Sequence, residues 1–334
     1  MLLNHRLFPV VSSLLIFLCL NLLMISSLAP QLLVKQIIAW TISFGLFFIG
    51  TQINPNLNQK SRWIFFIGSC IFLILPIILG NITRGSRRWL NIGPVTIQPS
   101  EIVKPPLMLF LASGPFPLLH LIPVAIVAME PDLGSAITIL VLLIPILLYS
   151  PKLLKLAIVG VVCLTMASPL VWKYLIHDYQ KDRVETFINP QHDPLGQGYN
   201  LIQSQIAVGS GGFFGKGYRQ GTQGQLLFLP EKHTDFIFAA TAEELGSLSI
   251  ILIFFAYIVL LTTLLNKAYG TKHNKPLFLF TLGIFFEIWI QASINIGMNI
   301  GVFPVTGIPL PFLSVGGSSL MALLFSLGVI YSNL

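Results

Sequence analysis

Hydrophobic residues are gathered into ten runs along the chain, and polar residues are concentrated between them. Most runs contain the roughly 20 apolar residues that a membrane-spanning helix needs, although the fourth and fifth are shorter and contain prolines. The pattern predicts an all-α polytopic membrane protein with about ten transmembrane helices, which form a single integral membrane domain over residues 1–334. The predicted spans are 8–29, 32–51, 63–82, 101–113, 116–129, 133–150, 153–172, 236–265, 277–300 and 315–332.

Composition agrees with this prediction, because only 9% of the 334 residues are charged and 54% are hydrophobic. A soluble domain has about 25% charged residues, so this chain must be solvated by membrane lipid. The net charge of +7 is not gathered with aromatic residues on a polar element, which argues against nucleic acid as a partner. The three cysteines lie inside hydrophobic runs without metal-ligand spacing, and we interpret them as packing residues.

Charged residues between the spans indicate how the chain is oriented. With a cytoplasmic N-terminus, the inner loops contain lysines and arginines but no Asp or Glu, as the positive-inside rule requires. Those basic residues are Arg6, Lys60, Arg62, Lys152, Lys155, Lys267, Lys272 and Lys275. The longest polar stretch, 173–234, then forms one large extracytoplasmic loop, and the acidic residues outside the spans also lie on the outer side. We therefore expect the substrate to be met at the outer face of the membrane.

The outer loop 83–100 is an exception to this charge pattern, because it carries Arg84, Arg87 and Arg88. Positive charge in a short external loop works against insertion. One interpretation is that the flanking inner loops outweigh it. The other is that the outer face needs positive charge to bind an anionic ligand.

The end of the large loop carries a cluster of titratable residues that leads into the eighth span. Asp235 lies at the predicted helix start, where a carboxylate could simply cap the helix, with Thr234 as a rival cap. Glu231, Lys232 and His233 lie beside it, and a cap needs none of these neighbours. The cluster therefore favours a functional site.

Polar residues also occur inside two spans, where they are costly and often functional. Glu243 and Glu244 lie roughly 12–14 Å along the helix from Asp235 and point in different directions, so one narrow site cannot contain all three. Hydrogen bonding between helices is the alternative. In the ninth span, four polar residues recur at every fourth position and so share one side of the helix. These residues either form structural hydrogen bonds between helices or line a substrate groove. They are Glu287, Gln291, Asn295 and Asn299.

The segment 301–319 contains four glycines and three prolines and cannot form a regular helix. Its free backbone amides could cradle a polar or anionic head group. A rigid re-entrant turn is the alternative.

Five motifs occur in an order that resembles the SEDS family of shape, elongation, division and sporulation proteins. They are Arg88-Trp-Leu-Asn-Ile-Gly93 with Gln98-Pro-Ser-Glu-Ile-Val-Lys104; Glu130-Pro-Asp-Leu-Gly134; the large-loop segments 209–217, 221–223 and 229–238; Pro304-Val-Thr-Gly-Ile-Pro-Leu-Pro311; and Gly316-Gly-Ser-Ser319. The loop spacing is more similar to the RodA-like branch than to the FtsW-like branch. Two departures are Val315, where the family usually has an aromatic residue, and the prolines Pro105 and Pro106 after Lys104.

The resemblance implies a peptidoglycan glycosyltransferase that polymerises lipid II for cell elongation and rod shape. It would act in the bacterial inner (cytoplasmic) membrane, at the outer face, with a class B penicillin-binding protein as partner. Asp235 is implied as the catalytic residue. The implied substrate-binding residues are Arg88, Trp89, Lys104, Asp132, Lys216, Glu231, Thr306, Ser318 and Ser319.

The implied chemistry leaves several roles open. Asp235 could be the general base for the acceptor hydroxyl, a metal ligand or an orienting group. Basic residues or a divalent cation, Mg²⁺ or Mn²⁺, could stabilise the pyrophosphate leaving group. Two other functions compete with this one. The intramembrane carboxylates would suit a lipid II flippase, and the chain could also be a non-catalytic scaffold for a penicillin-binding protein.

Overall fold

The computed structural model describes residues 7–80, 88–92, 95–130, 132–174, 178–192, 196–226 and 228–332. These residues form α-helices, three short 3-10 turns and one small hairpin. The helices are α1 (Phe8–Leu28), α2 (Leu33–Gly50), α3 (Gln59–Leu79), α4 (Pro99–Ile102), α5 (Lys104–Ser113), α6 (Leu121–Ala128), α7 (Leu133–Val141), α8 (Ile144–Tyr149), α9 (Pro151–Met166), α10 (Ser168–Tyr174), α11 (Asp178–Ile188), α12 (Gln197–Ser210), α13 (Thr222–Gln225), α14 (Ile237–Gly270), α15 (Lys275–Asn299) and α16 (Gly317–Ile330). The antiparallel hairpin pairs β1 (Leu90–Ile92) with β2 (Val95–Ile97).

Each predicted span coincides with helix, so the prediction of an all-α polytopic membrane protein is confirmed. In the described part of the chain, five helices are long and apolar enough to cross a membrane, and α9 with α10 makes a sixth that bends by 58°. The remaining predicted spans are covered by the shorter helices α4 to α8 and α16.

The double proline after Lys104 is accommodated at a helix start. The predicted span 101–113 divides at Val103 into α4 and α5, and Pro105 and Pro106 fall in the first turn of α5. Amides in the first turn of a helix have no partner within the helix, so proline removes no hydrogen bond there. The unusual sequence therefore breaks the span without unwinding its second half.

The proline- and glycine-rich segment 301–316 is a re-entrant turn that reaches into the bundle. The Tyr257 hydroxyl donates to the carbonyl of Pro311 at 2.6 Å, and Asn21 Nδ2 donates to the carbonyl of Leu313 at 2.6 Å. The ring of Phe312 stacks on Phe17, in the middle of α1, with 5.4 Å between centroids. These contacts place the turn at mid-helix depth and fix where α16 begins.

Helix α14 is sharply bent at Gly246, which has φ 73° and ψ −170°. A side chain there would collide with the backbone of Phe213 and Gly215, so the close approach of the outer loop requires glycine. The bend separates the first nine residues of α14 from the part that crosses the membrane.

Two carboxylates beside this bend hold the loop residues 216–225 against α14. Glu243 accepts hydrogen bonds from Lys216 Nζ at 2.7 Å, Thr222 Oγ1 at 2.9 Å and the Gln223 amide at 3.0 Å. Glu244 accepts from three further donors: Ser27 Oγ at 2.6 Å, Gln225 Nε2 at 2.8 Å and the Arg219 amide at 3.1 Å. Both glutamates therefore have a structural explanation, which is to attach residues 216–225 and the end of α1 to α14.

Substituting Glu243→Gln should destabilise this attachment. The change removes the charge that pairs with Lys216 and turns an amide donor towards backbone amides. Breaking a buried ion pair on one side costs on the order of 3 kcal/mol, so we expect a lower thermal unfolding midpoint in detergent and faster proteolysis within 211–225. Glu185→Gln, at an exposed helix position, is the matched control. Equal thermal unfolding midpoints for the two variants would show that Glu243 does not stabilise the attachment of the loop to α14.

Candidate active site

A cavity of about 670 Å³ lies at the end of the bundle where α2, α7 and α16 begin. Its walls come from five parts of the chain that are distant in sequence: α2, the hairpin region with α4, the start of α7, the end of the large loop, and the re-entrant turn with α16. Seven of the ten predicted site residues line it. They are Arg88, Trp89, Asp132, Glu231, Asp235, Ser318 and Ser319.

Asp235 lies in the turn that precedes α14, and it does not occupy the cap position. That position belongs to Phe236, so the interpretation of Asp235 or Thr234 as the cap residue was wrong. The Oδ2 atom of Asp235 faces Gly307, where a Cβ atom would lie 3.5 Å away. The carboxyl group is therefore placed between the end of the large loop and the re-entrant turn.

Two asparagines of α15 fix the backbone of Asp235. Asn295 Nδ2 and Asn299 Nδ2 each donate to its carbonyl oxygen at 3.0 Å. Asn295 also donates to the carbonyl of Ile308 at 2.8 Å, and Asn299 Oδ1 accepts from the amide of Ala239 at 3.1 Å. Half of the polar stripe on α15 is therefore structural, and its task is to position the cavity wall.

Glu231 and His233 extend the same wall. Glu231 has a left-handed backbone, with φ 51°, and its Oε2 accepts from Thr234 Oγ1 at 3.1 Å. The carbonyl of His233 accepts from the Val315 amide at 2.9 Å, so the re-entrant turn supports this segment from behind. Glu231, His233 and Asp235 therefore line the same wall of the cavity, whereas Lys232 does not line it.

Arg88 and Asp132 form an ion pair in the wall of the cavity. Arg88 Nη1 lies 3.2 Å from Asp132 Oδ2. The same carboxylate caps α7, because it accepts from the Ser135 amide at 3.0 Å and from Ser135 Oγ at 2.9 Å. Asp132 thus fixes the guanidinium at the end of a helix. Arg84 and Arg87 lie outside the described residues.

Glu130, beside this pair, is almost completely buried just beyond the end of α6. Burial and, to a smaller extent, the nearby charge of Asp132 raise the pKa of Glu130 from 4.5 to about 8, against the opposing effect of Arg88. The carboxyl group is therefore protonated at neutral pH.

Ser318 also has a structural contact, because its hydroxyl accepts from the Gln98 amide at 2.9 Å. This bond joins the start of α16 to the hairpin region.

Lys104, Lys216 and Thr306 lie outside the cavity lining. Lys104 is fully buried, with its ammonium 2.6 Å from Glu101 Oε1 and 3.5 Å from Glu287 Oε1. Lys216 is bound to Glu243, and Thr306 Oγ1 lies 3.9 Å from Met298 Sδ. A substrate-binding role for these three stays a prediction, and each has a structural partner instead.

Several lining residues were missed in the sequence. Glu101 faces the cavity, and its Oε2 has no hydrogen-bond partner among the described residues. Lys35 and Gln36 of α2 also line it. The available signal was their polarity: Lys35 and Gln36 lie inside a predicted span, where polar residues are functional by default.

A resident metal site does not fit these side chains. The described residues contain no group of three or more His, Cys, Asp or Glu side chains that could hold a metal ion. The Asp132 carboxylate is already engaged by Arg88 and Ser135. The expectation of a divalent cation therefore gains no support from the cavity wall.

Glu130 should make stability depend on pH. Its pKa is raised in the folded protein, so the unfolded chain releases the proton near pH 4.5 while the folded chain keeps it up to about pH 8. Stability must therefore fall as the pH rises through this window. Glu130→Gln removes the titration, and its thermal unfolding midpoint should decline less than that of the unchanged protein. If the unfolding midpoints of the two proteins change with pH in parallel, Glu130 is not the group that makes stability depend on pH.

Comparison with known proteins agrees with this architecture. A family model described as "Cell cycle protein", for FtsW, RodA and SpoVE, matches residues 6–115 and 114–333. The peptidoglycan glycosyltransferase MrdB of Escherichia coli K12 is 38% identical over 297 residues, which are 84% of this chain and 80% of that protein. Stage V sporulation protein E of Bacillus subtilis is 38% identical over 282 residues, covering 78% of this chain and 75% of that protein.

Two solved structures share the fold over nearly the whole chain. One is a chain from a peptidoglycan synthase complex, with a TM-score of 0.81 and 31% identity over 97% of this chain and 96% of that one. The other is the rod shape determining protein RodA of Thermus thermophilus, with a TM-score of 0.65 and 25% identity over 98% and 94%. The order of the motifs, the helical bundle and the family match all agree, and the chain belongs to the FtsW/RodA/SpoVE family of membrane proteins.

Proposed function

We propose that this protein is a peptidoglycan glycosyltransferase that polymerises lipid II at the outer face of a bacterial inner membrane. The observation that carries the proposal is the shared cavity, which is lined by Asp235, with its backbone held by α15, and by Arg88, with its guanidinium held by Asp132. Relatives named as peptidoglycan glycosyltransferases support the reaction type.

The Asp235 carboxylate is suited to take the proton of an attacking sugar hydroxyl. An alcohol is a weak nucleophile until a base accepts its proton, and a positioned carboxylate contributes about 10²–10⁴-fold. Asn295 and Asn299 hold the backbone of Asp235 from behind, which leaves its side chain directed at the cavity. In this proposal the bond from the donor sugar to its pyrophosphate breaks as the bond to the acceptor oxygen forms.

The leaving pyrophosphate needs a cation that is already in place. Arg88 lines the cavity and is held by the helix cap Asp132, so little reorganisation is needed as negative charge develops. Guanidinium groups bind phosphate oxygens in pairs, which gives both orientation and charge.

The outward orientation rests on the distribution of charge. Arg62 lies near the start of α3 and donates to the carbonyl of Ser113 at the end of α5, at 2.7 Å. This end of the bundle carries the basic inner loops, and the cavity lies towards the opposite end. A class B penicillin-binding protein is the proposed partner, by analogy with the related chain in a peptidoglycan synthase complex.

The flippase alternative loses its motivation in this structure. It depended on the intramembrane carboxylates Glu243, Glu244 and Glu287, which have structural partners here. Glu243 binds Lys216, Glu244 binds Ser27, and Glu287 lies next to Lys104. The glycosyltransferase is therefore the function that we retain.

Asp235→Asn should abolish polymerisation and leave the protein folded. The substitution keeps the shape of the side chain and the backbone hydrogen bonds to α15, while removing the basic oxygen. We expect polymer yield from labelled lipid II, with the partner present, to fall at least about 100-fold, with an unchanged thermal midpoint. Asp182→Asn, at an exposed position in the outer loop, is the matched control. An active Asp235→Asn protein would make Glu231 the next candidate.

Arg88→Ala should lower the polymerisation rate more than Arg84→Ala does. Arg88 presents its guanidinium to the cavity, and we expect a loss of roughly ten- to a hundredfold when it is removed. Arg88→Lys should recover only part of the activity, because an ammonium group lacks the paired donors. The measurement is initial polymer formation at fixed lipid II and salt. If both alanine variants polymerise equally well, Arg88 has no role in the reaction and affects only the orientation of the chain in the membrane.

A further inference from the structure

The inner end of the bundle carries a basic cluster that the proposed reaction does not use. The cluster consists of Lys152 and Lys155, in the first turns of α9, and Lys275, the first residue of α15. All three side chains are exposed, and no carboxylate pairs with them in the described part of the chain. Because the inner loops contain no Asp or Glu, the protein itself does not neutralise this positive charge.

Tyr149 brings the two helix ends together. This residue is the last of α8, and Lys275 Nζ lies 4.5 Å from the centroid of its ring. Phe278, one turn along α15, also contacts the ring, with 6.4 Å between centroids. Lys152 follows three residues after Tyr149 in the chain, so the basic residues of α9 and α15 meet around one half-exposed aromatic ring.

Membrane topology explains the positive charge of the cluster but not its arrangement. The positive-inside rule depends on the number of lysines and arginines near the ends of the spans, and it does not require them to converge. Basic pockets between transmembrane helices on the cytoplasmic side are typical binding sites for anionic lipid head groups. A zwitterionic head group would bring a cation of its own, which the three ammonium groups would repel. The arrangement therefore favours a lipid with a net negative charge.

Helix α9 leaves room for acyl chains beside the cluster. None of its residues is buried. Four apolar side chains that point in different directions around the helix are each more than half exposed: Leu156, Ile158, Val159 and Leu164. The side of α9 that faces the bundle is therefore exposed as well. In a membrane, hydrocarbon fills such an apolar space, because water is excluded from it.

We infer that the basic cluster and the space beside α9 form a binding site for an anionic phospholipid of the inner leaflet. Lys152, Lys155 and Lys275 bind the phosphate oxygens of the head group, and the acyl chains lie between α9 and the bundle. The leaflet follows from the orientation proposed above, whereas the site does not depend on the glycosyltransferase reaction. The bound lipid supplies α9 with the packing that the other helices do not provide.

The direct test is competition between two lipids for the full-length protein in detergent, measured by native mass spectrometry. The lipids are phosphatidylglycerol and phosphatidylcholine with identical acyl chains, so that only the head groups differ. We expect the unchanged protein to prefer phosphatidylglycerol by at least about fivefold, and Lys275→Gln to lose most of this preference. Lys60→Gln removes an equal charge at an exposed inner position outside the cluster, and it should keep the preference. Equal retention of both lipids by the unchanged protein, or an equal loss in both variants, would overturn the site.

Thermal unfolding in the same two lipids tests whether binding stabilises the fold. A ligand that binds only the folded protein raises the unfolding midpoint, so the midpoint should be higher in phosphatidylglycerol than in phosphatidylcholine. This difference should shrink in Lys152→Gln and Lys275→Gln, and it should persist in Lys60→Gln. Added sodium chloride should also reduce it, because salt screens exposed charges. A midpoint of the unchanged protein that does not respond to the head group would count against the site.

The acyl-chain part of the site is tested with glycerol phosphate, which carries the phosphate without the chains. At equal concentration it should not displace phosphatidylglycerol, and displacement would show that the cluster binds soluble phosphate instead. Hydrogen exchange in lipid nanodiscs gives a second test, because bound lipid should protect the inner end of α9. Exchange in residues 151–157 should be slower with phosphatidylglycerol than with phosphatidylcholine, while α3 should show no difference. Equal exchange of 151–157 in both lipids would refute the packing of the lipid against α9.

These experiments contain no lipid II, so their outcome is independent of the proposed function. If polymer forms from lipid II and the unchanged protein shows no preference for phosphatidylglycerol, the phospholipid site is refuted and the function stands. If no polymer forms with the partner present and the preference still depends on Lys275, the function is refuted and the phospholipid site stands.

Discussion

The carbonyl oxygen of Asp235 lies against α15, where Asn295 and Asn299 are both fully buried. A carbonyl in such surroundings must be hydrogen-bonded, because neither lipid nor apolar side chains can satisfy it. The two amides do so, and they also bind the Ile308 carbonyl and the Ala239 amide. Three segments meet at the cavity: the end of the outer loop, the first turn of α14 and the re-entrant turn. Together with the Val315 amide, which donates to the His233 carbonyl, this pair of side chains holds those segments in register.

The spans could be predicted because hydrophobicity and length are local properties of the chain. The bend at Gly246 could not, since it exists only because residues 213–215 approach α14 from another part of the sequence. The depth of the re-entrant turn could not be predicted for the same reason. Its glycines and prolines show that it cannot be a helix, but its position in the bundle depends on contacts with Tyr257 and Asn21.

The sequence motifs contain most of the residues that line the cavity, but they do not show in which direction each side chain points. Lys104 was expected at the substrate, but it points into the bundle and Glu101, three residues before it, faces the cavity instead. The sequence alone does not assign Lys35 to the cavity, because a single lysine near the end of a hydrophobic run is also typical of an interfacial anchor. The side of a helix that faces a cavity depends on its neighbours, and a single sequence does not contain that information.

The contact between α2 and α16 has a mechanical consequence for the cavity. These helices carry Lys35 and Ser318 near their outer ends, and their backbones touch near the opposite ends, at Gly50 and Gly328. A methyl group at either glycine would collide with the backbone of the other helix, so this contact sets the distance between α2 and α16. Rigid helices transmit a change of spacing along their length. The width of the cavity between α2 and α16 is thus set by the absence of side chains at Gly50 and Gly328. Gly50 lies about 20 Å along α2 from Lys35 in the cavity lining.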